Sequence, residues 1–239
     1  MLDAFQVNTT VEGKSVKIKR IVPARKRNNK TPFLRIEHFN AQDGGFPNQV
    51  HHGFEGLFYL FSGKVHHEDS IGSKVDIESG GVELFTTGAG LLHAELVEHK
   101  AHGIRIWIDL PDDKKHMPPS YQRFEVGALP EESNSSISVR TIVGKGSPVK
   151  PQLNVDIFDI TLSGKSAYKY NIPEKFNGFL YVVVGSIKIK GKVINASETV
   201  YFENERDIAM LSNTGARVLI CFGEPHGGEV EFAQAYVVI

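Results

Sequence analysis

Two stretches of this 239-residue chain decide how it folds and what it can bind. They are Phe46-Pro47-Asn48-Gln49-Val50-His51-His52-Gly53-Phe54-Glu55 and Thr87-Gly88-Ala89-Gly90-Leu91-Leu92-His93-Ala94-Glu95. In a β-strand, residues two positions apart project from the same face. Gln49 therefore shares a face with His51, and His93 shares a face with Glu95. Two such pairs on facing strands can converge on one metal ion.

The rest of the chain also has the period of β-structure. Segments 16–19, 34–37, 104–110 and 153–157 alternate apolar with polar residues, as half-buried strands do. Glycine-containing turns separate these segments, and no long stretch has a helical period. Only segment 111–122 is predicted to hold a helical turn or two. The sequence therefore predicts an all-β fold.

A polar, proline-containing segment divides the chain into near-equal halves. We predict an N-terminal domain over residues 1–127 that carries the metal site, a linker over 128–136, and a C-terminal domain over 137–239 without metal ligands. A weak internal repeat aligns Phe58–Val65 with Leu180–Ile187, which favours two tandem β-barrels or sandwiches of one type. Nine of the ten histidines precede the linker. Chemistry is therefore expected in the first half.

Composition limits the classes of partner. The formal net charge is −1 and the pI is near 6.8, so nucleic acid and anionic membranes are not expected partners. The single cysteine, Cys221, cannot form an internal disulfide. The first residues lack the basic and apolar pattern of a secretion signal, and no run reaches the ~18 apolar residues of a membrane span. We expect a soluble, cytoplasmic protein.

The proposed ligands are His51, His93 and Glu95. Two histidines and one carboxylate on one face, with open positions, is the arrangement of non-haem Fe(II) oxygenases. Gln49 could supply a fourth, weaker oxygen ligand or hydrogen-bond a bound water. Such a centre keeps net positive charge and favours an anionic substrate such as an enolate or phenolate. The alternative is that each histidine is satisfied by backbone groups and that Glu95 is a solvated charge at a strand end.

Other polar groups near these stretches have simpler interpretations. Glu55 has the parity of His51 but would lie ~13 Å along a straight strand, so it ranks below Glu95 as a ligand. His66 and His67, followed by two acidic residues, are interpreted as a solvated turn at the end of a strand.

Several motifs together resemble the pirin family, a bicupin group of the cupin superfamily. They are Asp43-Gly44-Gly45-Phe46-Pro47, His51-His52-Gly53-Phe54-Glu55, His67-Glu68-Asp69-Ser70, Thr86-Thr87-Gly88-Ala89-Gly90-Leu91-Leu92-His93-Ala94-Glu95, Gly103-Ile104-Arg105-Ile106-Trp107-Ile108-Asp109-Leu110-Pro111 and Tyr121-Gln122. The resemblance implies two tandem cupin domains, and it covers the first half of the chain more fully than the second.

The resemblance also implies a metal, usually iron, held by three histidines and one glutamate. His51, His93 and Glu95 match three of these ligands, whereas Gln49 stands where the family has its first histidine. It further implies either quercetin 2,3-dioxygenase activity on flavonols, with Glu95 as ligand and proton acceptor, or a regulatory role through a protein partner. In the second case the metal is structural or the site is degenerate. Fe(II) is the expected metal, with another divalent ion as the alternative.

Overall fold

The computed structural model describes residues 4–22, 31–225, 231–233 and 236–238, of which Val22 and the last two ranges are described as backbone only. The strands are β1 (Ala4–Gln6), β2 (Thr9–Glu12), β3 (Lys14–Val22), β4 (Phe33–His51), β5 (Phe54–Ser62), β6 (Lys64–Asp69), β7 (Lys74–Glu78), β8 (Val82–Thr86), β9 (Leu91–Val97), β10 (Ala101–Asp109), β11 (Ser120–Phe124), β12 (Glu131–Ser133), β13 (Ile137–Val143), β14 (Val155–Leu162), β15 (Ser166–Asn171), β16 (Asn177–Ile189), β17 (Lys192–Asn195), β18 (Glu198–Phe202), β19 (Asp207–Ser212), β20 (Ala216–Gly223), β21 (Glu231–Ala233) and β22 (Tyr236–Val238). Two short 3₁₀ turns cover Asp112–Lys114 and Val126–Ala128. The described part of the chain contains no α-helix. The predicted all-β fold is confirmed.

Of these 22 strands, β21 and β22 pair in a small separate sheet, and the other twenty form two large antiparallel sheets in tandem. One has the order β11-β8-β5-β10-β4-β9-β6-β7, with the β2–β3 hairpin joined to β4. The other has the order β1-β18-β16-β20-β14-β13-β12, with β15, β17 and β19 joined through β16. The central paths β8-β5-β10-β4 and β18-β16-β20-β14 correspond strand for strand. This correspondence is the structural counterpart of two domains of one type.

Each sheet belongs to one compact unit. In the described part of the chain, the first unit contains residues 8–22, 31–128, 151–153, 231–233 and 236–238, and the second contains residues 4–7, 129–150 and 154–225. Two short strands from outside residues 137–239 pair within the second sheet: β1 pairs with β18, and β12 pairs with β13. The boundaries 1–127, 128–136 and 137–239 remain a prediction from the sequence.

A glycine with positive φ lies at the equivalent place in each half of the internal repeat. Gly63 follows β5 and Gly185 lies within β16, and both have positive φ, at 90° and 76°. A Cβ on Gly63 would lie 2.1 Å from the carbonyl oxygen of Lys100, just before β10. A Cβ on Gly185 would lie 2.2 Å from the carbonyl oxygen of Gly215, just before β20. Both turns therefore need glycine for the conformation and for the close approach of the neighbouring strand.

The long strand β4 pairs with three strands, of which β3 is one. Its first half pairs with β10 and its second half pairs with β9. At the changeover, Gly45 has φ 103°, and a Cβ there would lie 2.3 Å from the carbonyl oxygen of Glu95. A bulge between Phe46 and Gln49 then shifts the register. This bend carries the Gln49–His51 segment next to β9.

The cores of the two units differ in chemistry. The described core of the second unit is a cluster of aliphatic and aromatic side chains around Leu180, Val182 and Ile220. In the first unit, apolar clusters around Phe39 and Trp107 share the interior with buried charged and polar side chains. The buried charged or ionisable side chains on its described strands are Glu37, His38, His51, Glu55, His67, Glu83, His93, Glu95, Arg105 and Asp109.

The described residues include no helix with the length and apolar character needed to cross a membrane.

The Gly63 turn gives a test of the fold. We expect Gly63→Ala to lower the free energy of unfolding by more than Gly72→Ala, because both positions have positive φ but only Gly63 meets a backbone atom. The positive φ alone should cost about 1–2 kcal/mol, and the clash should add about 1–3 kcal/mol. Urea denaturation of both variants measures the difference. Equal losses would mean that the close approach of Lys100 is absent.

Candidate metal centre

Strand β9 carries two of the predicted ligands on its inner face. His93 and Glu95 are 2% and 1% exposed, whereas the neighbouring Leu92 and Leu96 are about 40% exposed. The strand therefore alternates as the sequence predicts, but with polar groups inside and leucines outside. Burial of ionisable groups in place of leucines is costly unless the groups have a use.

Strand β4 brings the other two predicted residues beside them. Gln49 lies opposite His93 in the β4–β9 ladder. The ring centroids of His51 and His93 are 5.0 Å apart. Gln49 Oε1 lies 2.9 Å from His51 Nε2, which is a distance suitable for a hydrogen bond between the amide oxygen and the ring nitrogen. The structure thus brings Gln49, His51, His93 and Glu95 together on one side of the first sheet.

His67 is a member of this cluster that the sequence interpretation missed. The prediction of a solvated turn is wrong for His67, which is fully buried on β6 and lies opposite Glu95 in the β6–β9 ladder. The signal was available, because Val65 is two positions earlier and is also buried. His66 points the other way, where it is half-exposed and lies 2.7 Å from Asp76.

The geometry of the cluster fits a divalent cation. His67, His93 and Glu95 can each offer a ligand atom within 4.8 Å of the others. His93 Nδ1 lies 3.0 Å from Glu95 Oε1. Two ligands at about 2.1 Å from one ion and at a right angle to each other would be about 3.0 Å apart.

Four buried atoms of this cluster lack hydrogen-bond partners. They are both ring nitrogens of His93 and both carboxylate oxygens of Glu95, judged within the described part of the chain. A buried polar group without a partner costs about 1–3 kcal/mol. A cation between the two side chains would be bound by one ring nitrogen of His93 and by the Glu95 carboxylate, so the residues present suit the metal that the cupin resemblance implies.

Neighbouring side chains set the protonation of Glu95. Burial opposes its ionisation, but His93, Arg105 and His67 outweigh burial and lower the pKa of Glu95 to about 2. The carboxylate is therefore ionised at neutral pH, as a metal ligand must be.

His67 has a different environment. Burial lowers its pKa, but Glu83 and Glu95 outweigh this effect and raise the pKa to about 9. Its Nδ1 lies 3.2 Å from a Glu83 oxygen and its Nε2 lies 3.3 Å from an Asp69 oxygen. Glu83 also accepts a hydrogen bond of 2.7 Å from the Tyr121 hydroxyl. His67 is thus held as a cation between two carboxylates.

Glu55, the competing carboxylate, lies elsewhere. It is fully buried, accepts a hydrogen bond from Thr86 Oγ1 at 2.9 Å, and accepts another from the backbone N–H of Gln152 at 2.7 Å. Burial raises its pKa to about 7. The group of ligand atoms formed by His67, His93 and Glu95 includes neither Glu55 nor His51.

A pocket adjoins the cluster. It has a volume of about 290 Å³, and Gln49 and His51 form one of its walls. The rest of its lining surrounds the strand β4 bulge and consists of Glu12, Gly13, Arg35, Phe46, Pro47, Asn48, Arg105 and Trp107. Trp107 stacks on Phe54 with ring centroids 4.2 Å apart, and its ring lies 5.0 Å from that of His51. A small molecule in this pocket would contact the wall that contains His51.

Known proteins resemble this chain over nearly its whole length. The Pirin family model matches residues 15–108, and the model of the Pirin C-terminal cupin domain matches residues 157–234. A protein of Pseudomonas aeruginosa described as a putative quercetin 2,3-dioxygenase is 27% identical over 90% of this chain and 82% of its own length. Together the two models cover most of both sheets.

Solved structures show the same fold. A quercetin 2,3-dioxygenase from Acinetobacter baumannii superposes with a TM-score of 0.92 at 20% identity, over 99% of this chain and 90% of that one. The bacterial pirin YhhW from Escherichia coli, solved with nickel(II), superposes with a TM-score of 0.76 at 18% identity, over 94% of this chain and 99% of that one. At these sequence identities, the structural likeness shows a shared fold and nothing more.

Glu55 gives a pH-dependent test of the burial in this unit. Its folded pKa of about 7 exceeds its ordinary value of 4.5, so the folded state loses stability as pH rises from about 4.5 to above 7. Glu55→Gln removes this loss, and its stability relative to the wild type should rise by about 3 kcal/mol between pH 5 and pH 8. Urea denaturation at several pH values measures this, with the exposed Glu98→Gln as control. A difference that does not change with pH would contradict the raised pKa.

Proposed function

We infer that this chain, which belongs to the pirin family of the cupin superfamily, is a metal-dependent dioxygenase that acts on an enolate- or phenolate-type small molecule such as the flavonol quercetin. The observation that carries the proposal is the buried pair of His93 and Glu95, which lie 3.0 Å apart and whose polar atoms form no hydrogen bond within the described part of the chain. The description of the Pseudomonas aeruginosa relative supports the reaction class. Fe(II) is the metal we propose from the donor set, and a cytoplasmic location belongs to the same proposal.

His93 and Glu95 are ligands in every arrangement that the cluster allows. For the third ligand we favour His51 over His67, because His67 has carboxylates at both ring nitrogens and a raised pKa. A ligating imidazole must be neutral at the nitrogen that binds. Gln49, 2.9 Å from His51, would either complete the ligand set or hold His51 in one orientation.

When bound, the metal would supply Lewis acidity and redox chemistry with O₂. The side chains of the chain itself have separate roles. Glu95 is ionised at neutral pH and could accept the proton of a substrate hydroxyl group. Trp107, fixed by its stacking on Phe54, would orient a planar ring at the pocket wall. His67 would hold its charge beside Glu95 and keep that carboxylate in place.

Metal content tests this assignment directly. After anaerobic Fe(II) loading, we expect near-stoichiometric metal in the wild type, none in His93→Ala, and a loss of affinity of at least about tenfold in His51→Gln. His67→Gln should keep its metal stoichiometry, and the half-exposed His66→Gln serves as control. Elemental analysis and chelator competition measure these values, and O₂ consumption with quercetin measures turnover.

The opposite results have distinct meanings. Loss of metal in His67→Gln with retention in His51→Gln would establish His67, His93 and Glu95 as the ligand set. Quercetin-dependent O₂ consumption by metal-free protein would exclude the metal-dependent mechanism. No metal in the wild type after loading would favour the second function that Gln49 suggests, a non-catalytic module that binds a protein partner.

Gln49 itself can be tested by restoration. Gln49→His adds an imidazole beside His51, so we expect metal affinity to rise by at least about tenfold. Leu92→His is the matched control, because it adds an imidazole on the outer face of β9. Chelator competition gives both affinities. An unchanged affinity in Gln49→His would mean that the β4 bulge does not face the ion.

A further inference from the structure

The pocket beside His51 contains two arginines that the proposed reaction does not use. Arg35 and Arg105 both line it, together with Phe46 and Trp107. We propose that these two guanidinium groups form a carboxylate-binding subsite, so that the substrate class is a small planar aromatic or enolic acid. This inference narrows the substrate class of the proposed function. It rests on the proposed function only in treating the bound acid as a substrate. The subsite itself does not depend on the oxygenase reaction.

Strand register places the two arginines side by side. On the β4–β10 ladder, Arg35 lies opposite Trp107, and Arg105 lies opposite Glu37. The Arg35 guanidinium carbon lies 4.0 Å from the centroid of the Trp107 ring. The Arg105 guanidinium carbon lies 3.8 Å from the centroid of the Phe46 ring. Stacking on an aromatic face leaves the N–H groups at the edge of a guanidinium available to a planar anion.

The charges on this wall are not balanced. Glu37 is the shared carboxylate: Arg20 donates hydrogen bonds of 2.9 and 2.7 Å to one of its oxygens. Arg105 Nη2 lies 3.1 Å from the other oxygen, and Arg35 Nε lies 3.8 Å from the oxygen that Arg20 contacts. Arg20 also pairs with Glu12. At contact distance, three guanidinium groups therefore share two carboxylates. Glu95 also acts on Arg105, but Glu95 belongs to the proposed metal cluster. The wall of the pocket itself thus carries one positive charge in excess.

The excess cation is associated with Arg35. Its pKa is lowered by burial and by the like charges of Arg20 and Arg105, although Glu37 opposes the shift. The Nε groups of Arg35 and Arg105 are buried and lack a hydrogen-bond partner within the described part of the chain. Arg105 as a whole is 4% exposed. An anion in the pocket would add negative charge where two desolvated cations lie together.

Charge and size favour a carboxylate. A phosphate monoester carries about −1.5 to −2 charges at pH 7, which exceeds the single positive excess, whereas a carboxylate matches it. The volume of about 290 Å³ is at the lower end for small-molecule sites. With aromatic side chains in its walls, the pocket suits one planar ring with one acidic group. His51 at one wall and the arginines at another would hold such an acid at two points.

The test compares an acid with its isosteric amide. The probes are 4-hydroxybenzoate and 4-hydroxybenzamide, titrated into the full-length protein, with binding followed by calorimetry and by the fluorescence of Trp107, the one tryptophan of the chain. We expect the acid to bind at least about tenfold more tightly than the amide, because hydrogen bonds to charged groups are the stronger ones.

Variants assign the preference to the arginines. Arg35→Gln should abolish the preference for the acid, and Arg35→Lys should restore part of it by returning the charge without the planar fork. Arg105→Gln is the second variant at the subsite. Arg123→Gln on β11 is the matched control, because Arg123 pairs with Glu125 outside the pocket lining and should leave the preference unchanged.

Failure of the subsite and failure of the oxygenase give different results. The titration is repeated with metal-free His93→Ala protein, in which the preference for the acid should persist whether or not the oxygenase proposal holds. Equal affinity for acid and amide, absence of saturable binding of the acid at millimolar concentrations, or a preference unchanged in both Arg35→Gln and Arg105→Gln would overturn the subsite. A preference that requires bound metal would also overturn it, because the metal would then be the carboxylate receptor.

Discussion

Charge balance inside the first sheet is the constraint on which the rest of this structure depends. Glu95 is buried among His93, His67 and Arg105, and its ionised form is stable only because these groups surround it. Arg105 in turn pairs with Glu37. Removal of one partner from such a buried network leaves an uncompensated charge, which costs far more than an exposed ion pair contributes. The strands that carry these groups are therefore fixed in register by their charges as well as by their ladders.

The second unit shows that the topology does not require this chemistry. Its central strands β18-β16-β20-β14 repeat the arrangement of the first unit, yet its described core is a cluster of apolar side chains around Leu180 and Ile220. An apolar filling is the cheaper way to build such a core. The polar interior of the first unit thus reflects the use of that interior, and it supports the proposal of a metal centre and an acid-binding pocket there.

The sequence placed His93 and Glu95 correctly because alternation along a strand is a local property. The sequence interpretation failed for His67, because the four successive polar residues from His66 to Asp69 hide the alternation of the strand. Val65, two positions before His67 and also buried, was the signal that His67 lies on the inner face. The sequence also could not determine where the Glu55 side chain lies relative to His51. Gly53, at φ 81°, lies between the end of β4 and the start of β5, so the parity counted from His51 does not continue to Glu55.

The sequence by itself determined the all-β class, the two tandem units and the face on which each β9 residue lies, because these follow from a period of two and from turn residues. Only the tertiary structure decided which strands are neighbours. The bend of β4 at Gly45, its bulge before Gln49 and the β6–β9 ladder bring Gln49, His51 and His67 to His93. Likewise, the pairing of Arg35 with Trp107 depends on the β4–β10 register. Such contacts join residues far apart in the chain, and cross-strand register is set by the packing of the whole sheet.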